Sequence, residues 1–287
     1  PTIRNNVLIG DYRGAHPMAL GTLVWSGASP EIYNNIASGF VGGLSAGSDY
    51  PDPLVVNNVF SYNETGIKFY SGLTTAFNNV VVGSNGPDEY GVDCDAGGDV
   101  ILGYNDVWGN AYGDYSPSCD PGPGSISEDP LFVDPAHGHY SLDPVSPCID
   151  AGDPMIVDTD GTRSDMGAFG GPKAKAVNLS LYSLSGLVVS RGDTLRMGAI
   201  VSNNLQVAQE VTLDVDLYLA TGYPYGRNPV TGPVALSLGP LETVSPNPEF
   251  EYTVPQGISP GLYRLVGVLR DTLGLKVDEE FLVYMVD

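Results

Sequence analysis

The chain has 287 residues, 34 acidic against 12 basic, and a formal net charge of −22. That excess of acid repels nucleic acid and anionic lipid, so neither is expected as a partner. A hydrophobic content of 42% argues against disorder, while 37 glycines and 23 prolines favour turns over long helices.

Read from the start, the first feature is a recurring asparagine pair. IRNNV (3–7), IYNNI (32–36), VVNNV (55–59) and AFNNV (76–80) are near-copies, and GYNDV (103–107) reads as a worn fifth. The second positions are Asn6, Asn35, Asn58, Asn79 and Asp106. Recurrence at 20 to 30 residues marks a repeat architecture. Each pair is followed by a short strand closing on a small residue and glycine: GTLVWSG (21–27), GGLSAG (42–47), GIKFYSG (66–72) and GVDCDAG (91–97). Aligned from the closing glycine, one column reads Val24, Leu44, Phe69, Cys94 and another Thr22, Gly42, Ile67, Val92. Strand alternation puts both on one, mostly apolar face. Leu23, Gly43, Lys68, Asp93 and Trp25, Ser45, Tyr70, Asp95 then point to solvent.

These regularities predict a right-handed parallel β-helix, one repeat per coil, with coils stacked at about 4.8 Å. One asparagine of each pair is expected to turn inward and bond to its counterparts above and below. Asn6, Asn35, Asn58 and Asn79 are therefore a structural ladder and not a site. An isolated buried amide would cost roughly 1–3 kcal/mol.

The segment YNDVWGNAYGDY (104–115) concentrates Tyr104, Trp108, Tyr112 and Tyr115, with Gly109 and Gly113 arguing for a loop packed on the last coil. SISEDPLFVDPAHGHYSLDPVSPCIDAGDP (125–154), followed by DTDGTRSDMGAFGG (158–171), closely resembles the closing region of the parallel β-helix repeat family of secreted bacterial proteins. The resemblance covers residues 1–172. It implies an extracellular bacterial setting and a sandwich module after the closing segment, but no particular chemistry.

At GGPKAKAVN (170–178) the pattern changes. Runs such as VTLDVDLYLA (211–220), YRLVGVLR (263–270) and EEFLVYMV (279–286) alternate with period two. Residues 173–287 are therefore expected to form an immunoglobulin-like β-sandwich. The whole chain reads as all-β, with residues 1–172 as β-helix and closing segment.

Three cysteines make no framework, and an odd count leaves one thiol free or bonded between chains. Cys119 and Cys148, both in loop-rich sequence, are a candidate pair, with Cys94 left over. No stretch resembles a membrane span or a signal peptide. The chain begins at Pro1 rather than Met, which reads as a processed or truncated product.

A uronate lyase needs cations on its binding face. The first half offers only Arg4, Arg13, Lys68 and Arg163, with His16, His137 and His139. Asp93 and Asp95 are the candidate acid pair for a glycoside hydrolase. The NTD, DD and GHG motifs of galacturonan hydrolases on this fold are absent, and HGH (137–139) has the wrong order. Trp25, Lys68, Tyr70, Asp93 and Asp95 instead suit glycan binding, since rings stack on the apolar faces of sugars. Asp158, Asp160 and Asp165 surround a glycine turn and are candidate calcium ligands, or an Asx-rich turn without metal. No other cofactor is expected. RGD (191–193) reads as a turn, and the sequons at Asn63 and Asn178 as short motifs without further support.

The first asparagine pair arrives five residues from the start, so the chain opens partway through a coil. Either further coils precede Pro1 in the full protein or another subunit covers the open end, and a contact of the second kind repeated head to tail makes a filament. The sequence thus points to a secreted or cell-surface structural or adhesive protein. Its expected partner is an extracellular polysaccharide or cell-surface component, with head-to-tail homopolymers through the coil ends. The alternative is a carbohydrate-active enzyme using Asp93 and Asp95.

Overall fold

The computed structural model describes residues 1–10, 20–25, 27–47, 52–95, 98–226, 228–245 and 250–287, except the side chains of Leu20, Trp25 and Thr231. Among them there is no α-helix, and β-strands account for nearly all the regular structure. The chain forms two compact units, Pro1–Phe132 with Tyr140–Ala174, and Val133–His139 with Lys175–Asp287. The sequence boundary at 172/173 had placed residues 133–139 in the first half.

The first unit is a parallel β-solenoid. Its strands begin with β1 (Thr2–Arg4), β2 (Val7–Ile9), β3 (Leu20–Trp25), β4 (Glu31–Tyr33), β5 (Ile36–Ser38) and β6 (Gly42–Gly47). They continue with β7 (Leu54–Val56), β8 (Val59–Ser61), β9 (Thr65–Phe69), β10 (Gly72–Phe77) and β11 (Val80–Val82). β12 (Val92–Cys94), β13 (Gly98–Gly103) and β14 (Asp106–Trp108) complete it. Successive coils feed three parallel sheets, A (β1-β4-β7-β10-β13), B (β2-β5-β8-β11-β14) and C (β3-β6-β9-β12), and among the described residues the coil of β13 and β14 adds no strand to C.

The asparagine pairs divide two tasks. The first member takes the left-handed conformation, with φ of 56° at Asn5, 54° at Asn34, 56° at Asn57 and 58° at Asn78. Asparagine tolerates this region better than other non-glycine residues, so it bends the chain from sheet A to sheet B. The second member builds the ladder. Nδ2 of Asn6, Asn35, Asn58 and Asn79 donates to the next Oδ1 at 2.9, 3.0, 3.0 and 3.0 Å. The backbone N–H of each donates to that same oxygen at 2.9–3.1 Å.

The last rung is Asn105 and not Asp106. Asp106 pairs with Val80, the residue after the ladder position, and Tyr104 takes the left-handed bend at φ 52°. The match of GYNDV to the asparagine pairs was therefore one residue out. Asn63 and Asn110 make a second set of amide links at the bend into sheet C. They accept from the N–H groups of Phe40 and Ser84 and donate to Ala37 O and Val81 O.

Inside the coils Val24, Ala46, Phe69 and Cys94 stack beside Leu44, Ile67 and Val92, all buried. Register pairs Leu44 with Thr22 and Ile67, and Gly47 with Trp25. GGLSAG therefore sits two residues from its expected alignment. A two-residue slip keeps every side chain on its own face, so the inward set is still the apolar one.

Residues 113–126 pair along the last coil, through Tyr115 to Val92 and Ile126 to Asp106. The closing segment then runs back across the asparagine bends. Asn34 Nδ2 donates to Ala168 O and Gly170 O, Asn57 Nδ2 to Asp165 O, and Asn5 Nδ2 to Lys173 O. A disulfide joins Cys94 to Cys119, and Cys148 is a buried free thiol donating to Asp106 Oδ2 at 3.2 Å. The expected Cys119–Cys148 pairing is thus corrected. Strand alternation turns Cys94 inward at the end of β12, where the loop that covers the last coil brings Cys119 to it.

A short hairpin pairs β15 (Phe132–Asp134) with β16 (His139–Leu142). The second unit has β17 (Val177–Ser183), β18 (Val188–Val189), β19 (Thr194–Asn203), β20 (Gln209–Leu219) and β21 (Thr231–Leu238). β22 (Thr243–Val244), β23 (Phe250–Thr253), β24 (Gly261–Arg270) and β25 (Lys276–Val286) follow. One sheet joins β17, β19, β22 and β23; the other runs β18-β25-β24-β20-β21, and all but the β18–β25 pair are antiparallel. Leu179, Leu181, Met197 and Val201 from the first sheet share one core with Leu213, Val215, Leu217 and Leu265 from the second. The period-two runs of the sequence put these residues inside.

Candidate functional site

The outward face of sheet C collects the polar residues that sequence alternation had aimed at solvent. Leu23, Ser45, Lys68 and Asp93 stand in one column by register. Lys68 Nζ lies 2.9 Å from Asp93 Oδ2 and 3.4 Å from Glu89 Oε2. Burial works against the ammonium, but the hydrogen bond and charge of Asp93, helped by Glu89, raise the Lys68 pKa above its ordinary range. Nζ also sits 5.5 Å from the centroid of the Tyr70 ring, which is 40% exposed. Gly47 makes room for that ring, because a Cβ there would come within 2.7 Å of Tyr70 Cβ.

Lys68, Tyr70 and Asp93 thus meet on one patch. Asp95 is exposed at the end of β12, where its N–H donates to Phe69 O. The Trp25 side chain, Arg13 and His16 lie outside the described residues. Glu89 was missed by sequence reasoning, because it belongs to a turn and to no repeat column. Thr65 Oγ1 donates to it at 2.8 Å and fixes it beside Lys68. Chemically the patch offers one cation held by two carboxylates, with an open aromatic face beside it. Asp93 is committed as a counter-ion, which fits polar recognition better than proton transfer.

The candidate calcium ligands serve as loop staples. Asp158 accepts from the N–H of Gly171 through Oδ1, and from that of Asp165 at 3.2 Å through Oδ2. Asp165 accepts from Asp150 N–H at 2.8 Å, and Asp160 from the N–H and hydroxyl of Thr162. No group of three metal-ligating side chains occurs among the described residues. Burial pushes Asp158 up to about 6; burial and the neighbouring Asp158 push Asp165 up to about 8.

His139 is fully buried in the second unit, with Nδ1 2.8 Å from Ser180 Oγ and Nε2 2.6 Å from Ser202 Oγ. Burial lowers its pKa to about 4. A histidine between hydroxyls resembles a base beside a nucleophile, but at 0% exposure no substrate reaches it.

RGD forms the expected turn: Asp193 Oδ2 accepts from Ser190 N–H, and Arg191 Nε donates to Ile258 O at 2.7 Å. Both sequon asparagines are buried, Asn63 at 0% and Asn178 at 5% exposure, so neither takes a glycan in the folded state. No described helix is long and apolar enough to cross a membrane.

The chain matches no protein-family model. No curated protein matches it either. Among solved structures it is similar to the alkylpurine DNA glycosylase AlkC of Pseudomonas fluorescens bound to DNA with an abasic-site analogue. Identity there is 14%, over 39% of this chain and 31% of that one, with a TM-score of 0.31. It is also similar to a CARDB domain from Pyrococcus furiosus in complex with di-metal ions, at 18% identity over 39% of this chain and 87% of that one, TM-score 0.27. A Listeria innocua β-glucosidase in complex with glucose gives 17% identity over 38% and 16%, TM-score 0.29. The chain therefore spans about a third of the glycosylase chain and less than a fifth of the glucosidase chain.

Proposed function

We propose that this is a secreted or cell-surface structural or adhesive protein that binds glycans on the outward face of sheet C. The observation that carries the reading is the Lys68–Asp93–Glu89 cluster beside the exposed Tyr70 ring. A sugar needs a ring face to stack on and paired donors and acceptors around it, and this patch offers both. The first unit is read as a right-handed β-helix of the secreted bacterial kind, and the second as an immunoglobulin-like sandwich that spaces or anchors it. The Cys94–Cys119 bond supports an oxidising compartment, where such bonds persist.

Self-assembly through coil ends belongs to the same proposal. Among the described residues β1 and β2 are the outer strands of sheets A and B, and a strand of another coil is what such an edge pairs with. Affinity electrophoresis against neutral, amino and uronic polysaccharides tests the glycan reading. Retardation by a neutral or amino polysaccharide, abolished in Tyr70→Ala and weakened in Lys68→Met, supports it. Unretarded migration in every gel rejects it. Release of reducing ends, lost in Asp93→Asn, would replace it with the hydrolase. Negative-stain microscopy of the untagged protein decides assembly.

A further inference from the structure

A second feature lies on sheet A, within the first unit, and plays no part in the sheet C patch. Register stacks Tyr33, Val56 and Phe77 on successive strands, with Leu54 beside Thr75 two residues earlier on the same face. Neighbouring strands are about 4.8 Å apart, so the two rings stand about 9.6 Å from each other across a short valine. The trough between them is roofed by the closing segment at Ile156 and Pro172, leaving a cleft of about 270 Å³.

The asparagine bends hold this roof in place. Asn34 Nδ2 reaches Gly170 O at 2.7 Å and Asn57 Nδ2 reaches Asp165 O at 2.7 Å, which commits their amide donors to the strap. Gly171, at φ +80°, passes so close that a Cβ would lie 2.8 Å from Asn57 Oδ1. The cleft therefore has an apolar interior and few polar groups with which to address a ligand.

One cation stands among its lining residues. Lys173 Nζ lies 3.5 Å from the centroid of the Tyr33 ring and 3.5 Å from Glu31 Oε2. Both members of that ion pair are partly exposed, and such pairs exchange readily with other partners. Lys173 has donors to spare for a ligand anion. A sugar would leave its hydroxyls unpaired against this lining, so the chemistry differs from that of the sheet C face. A cation would meet Lys173 unfavourably.

We infer that the cleft binds a small amphipathic carboxylate. Its flat apolar body lies over Val56 between Tyr33 and Phe77, and its carboxylate takes the place of Glu31 on Lys173.

Isothermal titration with three probes of one shape tests this: 2-naphthylacetate, 2-(2-naphthyl)ethanol and 2-(2-naphthyl)ethylamine. The expected order is acid over alcohol over amine, with at least a ten-fold preference for the acid over the alcohol. Lys173→Met is expected to bring the acid down to the alcohol and to leave the alcohol unchanged. Val56→Phe fills the trough and is expected to abolish binding of all three. Ile156→Trp blocks it from the opposite wall, should the first variant fail to fold by circular dichroism. Equal affinity for the three probes, no saturable binding by the wild type, or full binding in a folded trough-filling variant would each overturn the inference.

Discussion

Inside the first unit, Asn35, Asn58 and Asn79 are buried at 3%, 0% and 0% exposure, and each bonds to the coil on either side. The equivalent depth of the second unit holds Leu213, Val215 and Leu217, at 0%, 0% and 1%. Both units are stacks of strands, yet a repeated polar ladder runs through one core, while the other packs aliphatic side chains around single polar contacts such as His139 with Ser180 and Ser202. A parallel coil repeats the same residue at the same bend, so an amide always finds its own kind next door. Antiparallel sheets of differing sequence offer no such repetition. A buried amide there needs local partners of its own, as Asn203 finds in Val207 O and Gly239 O, and aliphatics fill the facing strands. Repetition in sequence is what lets one amide contact recur from coil to coil.

Both tryptophans, Trp25 and Trp108, belong to the first unit, so their fluorescence reports on that unit, while residue-resolved hydrogen exchange follows the second. The largest expected effect comes from Leu213→Ala. It should cost the second unit about 3–4 kcal/mol by opening a cavity and leave the tryptophan transition in place. The mirror experiment, Asn58→Ala, should cost the first unit about 3 kcal/mol, because the N–H and Nδ2 of Asn35 lose their acceptor. If Asn58→Leu were tolerated as well as a core valine swap, the ladder would be ornament. Reduction of Cys94–Cys119 should remove about 3 kcal/mol, again from the first unit only, as read by urea unfolding with and without reductant.

Acid sharpens the contrast. His139 has a folded pKa of about 4 against an ordinary 6.5, so its unfolded form takes the proton first. Its contribution is whole above pH 6.5 and is lost as pH falls towards 4. Asp158 and Asp165 are raised to about 6 and about 8 from 3.8, so their sign is opposite. Their contribution is whole below pH 3.8 and is lost as pH rises through 6 to 8. Asp165→Asn should therefore stabilise the first unit at pH 8.5, on the order of 2 kcal/mol, and do little near pH 4. The difference between wild type and His139→Gln in the second unit should run the other way with pH. Smallest of all, Lys68→Met should change stability by under about 1 kcal/mol, since its ion pairs are partly exposed, while weakening glycan retardation.

The solenoid was legible because its signal is repeated: four asparagine pairs and four short strands set the period, and alternation set the faces. What repetition could not supply was read less well. GYNDV was matched one residue out, since Tyr104 replaces the bending asparagine and Asn105 alone keeps the rung. A better signal was chemical: only an amide can both accept and donate in the ladder, so Asn105 outranks Asp106. Cys119 occurs once, in a loop whose path follows from the last coil and not from any period. The docking of Asn34 and Asn57 on residues 165–170 spans more than 100 positions and leaves no local trace. Of the sheet C patch, alternation found Lys68, Tyr70 and Asp93 but not Glu89, which arrives from a turn.

The ladder also bears on how the protein ages. Asparagine is lost chemically when the next backbone nitrogen attacks the side-chain carbonyl and ammonia departs. Here the residue after each of the first four rungs is Val7, Ile36, Val59 or Val80, whose branching crowds that attack. The nitrogens of Ile36, Val59 and Val80 are engaged with Asn6 O, Asn35 O and Asn58 O, at 2.8, 2.8 and 2.9 Å. The side-chain oxygens of Asn35, Asn58, Asn79 and Asn105 are each held by the preceding coil. The arrangement that staples the coils also shields its own most perishable residues.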